Sequence, residues 1–552
     1  MSGGEASART DDASGRRGRA PPLLVALGFV ALAVVLRLPA LAYSVLNYDE
    51  SMYLLMGDEM RQGFLPYTTL CDLKPVGLFA VFALVSALPV DGVVAGRLVS
   101  SVVVGLTAFL LRHLAARLLD DRDRRVGPAA GLAYVVFSLA TGGLSSQAEL
   151  FTNLLATLGL AIALAAVRDG EGSPRTGLMA LAGLVLGAGV QVKQVVLFDM
   201  LAFLTGYLLL TTPRPALLVG RAREAWPALA ALGAAAVLPT LAVMLVYAAS
   251  GHWDAWVAGN LATHRAFYGE DTGPAIAWEA GLHVMVEQAP LWLAALLALL
   301  LGWRLARGGA ERRALTFLLL WAAAIGVGQV FLRWMADHYF LQFLPPLSLL
   351  AGLMLGRAVL AHVGRPAARR VLLGVLVALG VFALARNPIV NAAYVARDRH
   401  LGGEAWAGDA ARQVAADIRR DLRPGDAVYV VGRMPIVYHL TGAEIPTRFA
   451  FTGLPNRLYP GRDGCRWVEP AAEMRRVLDT RPRFIVVERG VFLEELPPDT
   501  EGPLLERLAA EYRPRASFGQ HWVHRLFPFE RSAMNGDAAA DVYELARDDP
   551  PP

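Results

Sequence analysis

Apolar runs of about 17 to 25 residues recur along the first 390 positions, separated by short breaks that carry Arg, Gly or Pro. Each run has the length a helix needs to cross ~30 Å of hydrocarbon. The pattern predicts spans near 21–40, 93–118, 128–144, 150–167, 176–192, 194–212, 227–249, 284–303, 314–332, 339–356 and 371–387, eleven crossings in all. The stretch from Pro75 to Pro89 is too short to cross, and is expected to be a helix lying at the interface. From about Pro388 the pattern changes. Ala405 to Arg420 has helical periodicity, Arg423-Pro424-Gly425-Asp426 makes a turn, and Ala427–Gly432 and Phe484–Val487 are short buried-strand runs. These features predict a small α/β domain.

Composition agrees: 55% hydrophobic and 18% charged residues suit a polytopic membrane protein and exclude an ordinary soluble globule. Alternating short segments of a β-barrel are not seen. The expected organisation is a disordered cytoplasmic tail (1–20), a transmembrane domain (21–387), an external α/β accessory domain (388–535) and a disordered tail (536–552). Arg16, Arg17 and Arg19 before the first span place the N-terminus in the cytoplasm, and Ala40-Leu41-Ala42, which resembles a cleavage site, leaves the following loop outside in either case. With Pro75–Pro89 kept out of the membrane, the clusters around Arg117–Arg125, Arg168–Arg175, Arg214–Arg223, Arg304–Arg313 and Arg357–Arg370 all fall in cytoplasmic loops. The pI near 9.1 therefore reports orientation in a cell membrane rather than nucleic-acid binding.

Candidate chemistry gathers in the external segments. Asn47-Tyr48-Asp49-Glu50 follows the first span, and Asp72-Leu73-Lys74-Pro75 comes soon after. Carboxylates beside a bilayer are costly unless they face water or do chemistry. Of 52 basic residues only Lys74 and Lys193 are lysine, both at the expected outer face, and a compact ammonium suits a phosphate. Further polar groups on that face are Glu149, Asn153, His264, Arg265, Arg333, Asp337 and His338; Pro345-Pro346 is expected to kink the span that follows. Trp253 and Trp256 head an amphipathic interfacial helix. Cys71 and Cys465, in different domains, are expected to be free thiols.

The order of these pieces resembles the C-type membrane glycosyltransferases, the GT-C fold, in the branch of protein O-mannosyltransferase-like and aminoarabinose-transferase-like enzymes. The matching pieces are Asp49-Glu50 with Tyr53, Gly63-Phe64-Leu65-Pro66-Tyr67 leading to Asp72-Leu73-Lys74-Pro75, Gly96-Arg97, Ala148-Glu149-Leu150, Gly187-Ala188-Gly189 with Lys193, and His338-Tyr339 with Pro345-Pro346. Val76 departs from the second proline many relatives carry, which bears on where the local helix starts. The resemblance implies a sugar donor on a polyprenyl phosphate, an acceptor hydroxyl near the acidic residue of the first external loop, and inversion at the anomeric carbon.

The chemistry of such a transfer asks for a base and for cations at the departing phosphate, and needs no acid for a leaving group already stable as an anion. Asp49 is the expected base, with Glu50 orienting the acceptor or holding Asp49. Lys74 is the first expected phosphate ligand, with Lys193, Arg333 and His338 behind it. Tyr53, Glu149, His264 and Arg265 are expected to meet acceptor or sugar. No cofactor is required; a divalent metal is compatible but unsupported, because no close His/Cys cluster appears. Expected partners are the polyprenyl-phosphate sugar, membrane lipid and a glycan, lipid or protein acceptor. The competing class is a secondary transporter or flippase of envelope precursors, which would call for ionisable groups at the bilayer midplane and an internal repeat.

Overall fold

The structure is a computed structural model of the 552-residue chain. It describes residues 21–121, 124–167, 174–262, 281–282, 284–332, 336–400, 409–450, 469–488, 496, 498–519 and 539–546. Among the described residues, seven helical segments are long and apolar enough to cross a membrane, and five shorter apolar helices accompany them. One of the five, Val76–Val85, has ten residues and a reach of ~15 Å, half a bilayer core. Setting it aside leaves the eleven segments that the hydropathy pattern predicts. The chain is a polytopic helical membrane protein with a small C-terminal α/β unit.

The helices are α1 (Pro22–Arg37), α2 (Tyr48–Arg61), α3 (Val76–Val85), α4 (Gly92–Leu118), α5 (Val126–Phe137), α6 (Ala148–Ala166), α7 (Thr176–Val192), α8 (Val196–Thr211), α9 (Leu218–Ala249), α10 (Trp253–Val257), α11 (Ala289–Leu305), α12 (Gly309–Leu332), α13 (Leu344–Met354) and α14 (Pro366–His400). Three boundaries differ from the hydropathy pattern. Helix α5 stops at Phe137, and residues 138–147 form a loop with Thr141 and Gly142 at positive φ. Pro345 and Pro346 do not kink a span; they occupy the first turn of α13, where a missing N–H is harmless and the fixed φ is already helical. Helix α14 runs to His400 rather than ending near 387.

Close helix contact follows from small residues. On α7, Gly183 and Gly187 are four apart and face α9 so closely that an added Cβ would stand 2.0 Å from the Leu232 carbonyl oxygen and 2.2 Å from that of Ala236. Apolar side chains gain little by leaving lipid, so such backbone approach is a main source of affinity between membrane helices.

The C-terminal unit adds α15 (Ala410–Ile418), β1 (Val428–Val431), α16 (Ile436–Thr441), α17 (Pro470–Asp479), β2 (Phe484–Glu488), α18 (Pro498–Glu511), β3 (Tyr512–Gly519) and β4 (Ala539–Leu545). Its sheet has the order β1-β2-β4-β3, with β1 and β2 parallel and the other pairings antiparallel. Strand β4 corrects the expectation of disorder over 536–552: Ala540 and Val542 are buried and alternate with more accessible neighbours, as a half-covered strand requires. The unit sits on the end of the bundle that holds Ser44, Asp58 and Asp91. At the other end, Arg357 donates to the carbonyls of Leu119 (2.5 Å) and Leu305 (2.8 Å) and pairs with Glu311.

Replacing Gly187 by Val should therefore wedge α7 from α9 and lower the melting temperature in detergent by several degrees, while Gly177→Ala on the same helix, where a Cβ meets open space, should not. Equal melting of the two variants would contradict this packing.

Candidate active site

Asn47 starts α2: its side-chain oxygen accepts from the Asp49 backbone N–H at 2.9 Å. Asp49 and Glu50 thus occupy the first turn, where the helix dipole favours carboxylates. They diverge from there. Glu50 is fully buried and accepts from Arg97 Nε (3.2 Å), the Ser146 N–H (3.1 Å) and the Leu46 N–H (3.3 Å), with a second, short bond from the Arg97 guanidinium. Arg97 also donates to the carbonyls of Ala40 (2.5 Å) and Tyr43. With its oxygens so engaged, Glu50 acts on Asp49 only through the helix they share.

Asp49 faces the other way, toward the Lys74 ammonium and the His338 imidazole. Its Oδ2 lies 3.7 Å from Lys74 Nζ and 3.5 Å from His338 Nε2, and accepts from the Tyr53 hydroxyl at 3.3 Å. Burial pushes the Asp49 carboxyl up, but Lys74, His338 and Lys193, helped by the Tyr53 hydroxyl, pull it further down, so it lies below the ordinary carboxylate value and is ionised at neutral pH. Tyr53, expected to meet substrate, touches the acid itself.

Lys74 is held by its backbone. Asp72 Oδ1 accepts from the N–H groups of Leu73 (2.5 Å) and Lys74 (2.9 Å), a local turn that aims the chain into α3, which starts at Val76 behind Pro75. The Lys74 carbonyl accepts from the Tyr67 hydroxyl, and Tyr67 sits at φ +69° with Gly259 pressed against its ring. Tyr247 in turn donates to the Pro66 carbonyl at 2.9 Å. These bonds fix the Lys74 backbone, while its ammonium pairs with Asp49 and lies 5.8 Å from the centroid of the Tyr53 ring.

The second lysine lies deeper. Lys193 ends α7, is buried, pairs with Glu149 and stands 3.5 Å from the centroid of the Tyr339 ring. His338 and Tyr339 come from the 3₁₀ segment Asp337–Phe343 that leads into α13. Around this group, Glu149 Oε2, Gln147 Oε1 and His338 Nε2 are buried without a hydrogen-bond partner among the described residues. Unsatisfied polar atoms of this kind suit a polyhydroxylated ligand.

The structure thus brings together Asp49, Tyr53, Lys74, Lys193, Glu149 and His338, and takes Glu50 away into a buried ion pair. Arg333, His264 and Arg265 lie outside the described residues. Among the described residues no three His, Cys, Asp or Glu side chains gather as a metal site. Cys71 is disulfide-bonded, which corrects the expectation of free thiols; the other cysteine, Cys465, lies outside the described residues. Two further residues were missed in the sequence. Gln147 was passed over as part of a polar loop. Asp199, buried on α8, accepts from Trp321 Nε1 (2.6 Å) and Gln342 Nε2 (2.8 Å), tying α8 to α12 and to the segment that carries His338. A carboxylate within an apolar run is a signal that could have found it.

No protein-family model and no curated protein matches this chain. Among solved structures, that of the aminoarabinose transferase ArnT from Cupriavidus metallidurans bound to undecaprenyl phosphate is similar at a TM-score of 0.55 and 17% identity, over 94% of this chain and 97% of that one. The same protein in its apo state gives 0.52 at 17% identity with the same coverage. The Archaeoglobus fulgidus oligosaccharyltransferase in complex with Zn and sulfate gives 0.50 at 11% identity, over 89% of this chain and 71% of that one. These likenesses show that the chain has the GT-C fold.

Glu50→Ala should leave Arg97 buried without its counter-charge and cost ~3–5 kcal/mol, whereas Asp49→Asn, at a partly exposed side chain, should cost under about 1 kcal/mol. Thermal unfolding of the two variants in detergent checks this; similar losses would refute the division of roles.

Proposed function

We propose that this protein is an integral-membrane glycosyltransferase that moves a sugar from a polyprenyl-phosphate donor to an acceptor hydroxyl at the external face of the cell membrane. The observation that carries the reading is the ionised Asp49 carboxylate beside the Lys74 ammonium and His338, on the end of the bundle opposite the arginine-laden one. The GT-C fold, shared with a transferase solved with undecaprenyl phosphate bound, supports the same class. The arginine clusters support a cytoplasmic N-terminus and an external C-terminal domain.

In the step we infer, the acceptor O–H gives its proton to Asp49 as its oxygen bonds to the anomeric carbon. The bond from that carbon to the phosphate oxygen breaks, and its electron pair leaves with the phosphate. Attack opposite the departing phosphate inverts the anomeric carbon. Lys74 has two duties that fit its flexible stem: it neutralises Asp49, and it moves to a phosphate oxygen when the donor enters, which frees the carboxylate as a base. Lys193, fixed by Glu149, adds positive potential nearby, and Glu149 Oε2 with Gln147 Oε1 accept from sugar hydroxyls.

Host cells carrying wild type, Asp49→Asn or no protein should differ in their polyprenyl-phosphate lipids. A sugar-linked monophosphate should accumulate in the variant and the null but not in wild type, and its mass gives the donor. Matching profiles at equal protein abundance, with the donor pathway active, would sink the proposal. In a reconstituted assay Asp49→Asn should lower kcat ~10²–10⁴-fold. Because Asp49 is held below the ordinary carboxylate value, kcat/KM should show no acid limb from this group above about pH 4.

A further inference from the structure

The C-terminal unit touches the bundle through a set of directional polar contacts that land on the segments carrying Asp49, Lys74 and Arg97. Asp409, fully buried, accepts from the Ser44 N–H at 2.7 Å and the Ser44 hydroxyl at 2.6 Å, while also capping α15 through the Arg412 N–H at 3.3 Å. Arg412 grips Asp91 with two bonds of 2.9 and 3.0 Å. His439 Nδ1 lies 2.5 Å from Asp58 Oδ2, and the Cys71 N–H donates to the Arg448 carbonyl at 2.9 Å. Ser44 is five residues before Asp49, Asp58 is on the same helix as Asp49, and Cys71 is three residues before Lys74. Asp91 caps α4, the helix that carries Arg97.

A domain that merely hung from α14 would have no need to bury a carboxylate in this contact, since a buried charge is costly unless every oxygen is hydrogen-bonded. Both oxygens of Asp409 are so satisfied, chiefly by one residue of the catalytic loop. We propose that the C-terminal domain is a clamp that fixes the segment from Ser44 to Lys74, which carries Asp49 at the start of α2 and Lys74 in the turn before α3, with Asp409 as its principal positioning residue. Hydrogen bonds to a backbone N–H set chain register in a way that apolar contact does not. The clamp stands on geometry alone; its effect on catalysis rests on the roles proposed above for Asp49 and Lys74.

The test is hydrogen–deuterium exchange on the full-length protein in detergent, comparing wild type with Asp409→Asn, Ser44→Ala, the double variant, and Arg507→Ala, which breaks only ties to Asp479 and Glu511 within the domain. Asp409→Asn should speed exchange of residues 44–61 by about tenfold, with β1 and β2 and the membrane helices unchanged, and Arg507→Ala should leave that segment at the wild-type rate. The double variant should exchange no faster than Asp409→Asn alone, because the hydroxyl bond that Ser44→Ala removes is one of those the carboxylate makes. Wild-type exchange in 44–61 overturns the clamp. Should Asp409→Asn also loosen β1 and β2, Ser44→Ala decides, since it removes the hydroxyl bond to Asp409 from the bundle side and leaves the domain's own residues intact: faster exchange in 44–61 with the sheet intact supports the clamp, and no change overturns it. Binding of undecaprenyl phosphate to the same samples separates the two readings. Weakening by Lys74→Met tests the site, and weakening by Asp409→Asn beside an intact Lys74 tests its dependence on the clamp; absence of binding to wild type would count against the site and leave the exchange result to judge the clamp.

Discussion

The buried pair of Glu50 and Arg97 is the constraint on which the rest of the site depends. Arg97 draws in the carbonyls of Ala40 and Tyr43 from the chain leaving α1, and Glu50 draws in the N–H of Ser146 from the loop before α6. Three regions distant in sequence meet at one fork. Buried ion pairs of this kind are poor sources of net stability but become expensive to break once formed, which makes them good at selecting a single arrangement. Here the arrangement selected is the start of α2, and Asp49 inherits its place from its neighbour's bonds.

Beyond that anchor the site is close to charge balance. Asp49 stands against Lys74, Glu149 against Lys193, and His338 lies between the two acids. A balanced cluster can be kept half-buried without the full penalty of isolated charges. In the reaction we propose, a phosphate that draws Lys74 away would leave Asp49 with less positive charge around it and hence more basic. That ordering would tie the readiness of the proposed base to the presence of a donor.

How much of this was legible in the sequence varied with the physics involved. Long apolar runs set the number of spans, since length against bilayer thickness is a one-dimensional problem, and the same measure kept Val76–Val85 out of the count. Asp49, Lys74, Lys193 and His338 were marked by residue type and by the cost of charge at a membrane surface. The parting of Glu50 from Asp49 was not legible, because it depends on Arg97, 47 residues away. Pro345 and Pro346 read as a kink because a long apolar pattern hides a helix start; the 3₁₀ segment before them could not be seen from hydropathy. Strand β4 was overlooked because its short alternation, Ala540 and Val542 inward, sits in acidic surroundings that read as a tail. Asp199 was hidden within an apolar run whose partners, Trp321 and Gln342, lie more than a hundred residues on.

The two cation types divide the work in a way that explains the scarcity of lysine. Arginine holds the fixed points: Arg97 at the anchor, Arg357 joining three helices at the far end, and Arg412 on Asp91. Its planar fork makes several bonds at set angles and loses less freedom for each. Lys74 pairs with Asp49, and in the reaction we propose its charge shifts from that carboxylate to a phosphate, which a fork engaged at several points could not do. Lys193 is more confined, between Glu149 and the Tyr339 ring, yet a single ammonium there still presents charge without binding the ligand in one orientation. In a chain that uses arginine for nearly every other positive charge, a lysine at these two positions is accounted for by motion at the first and by compactness at the second.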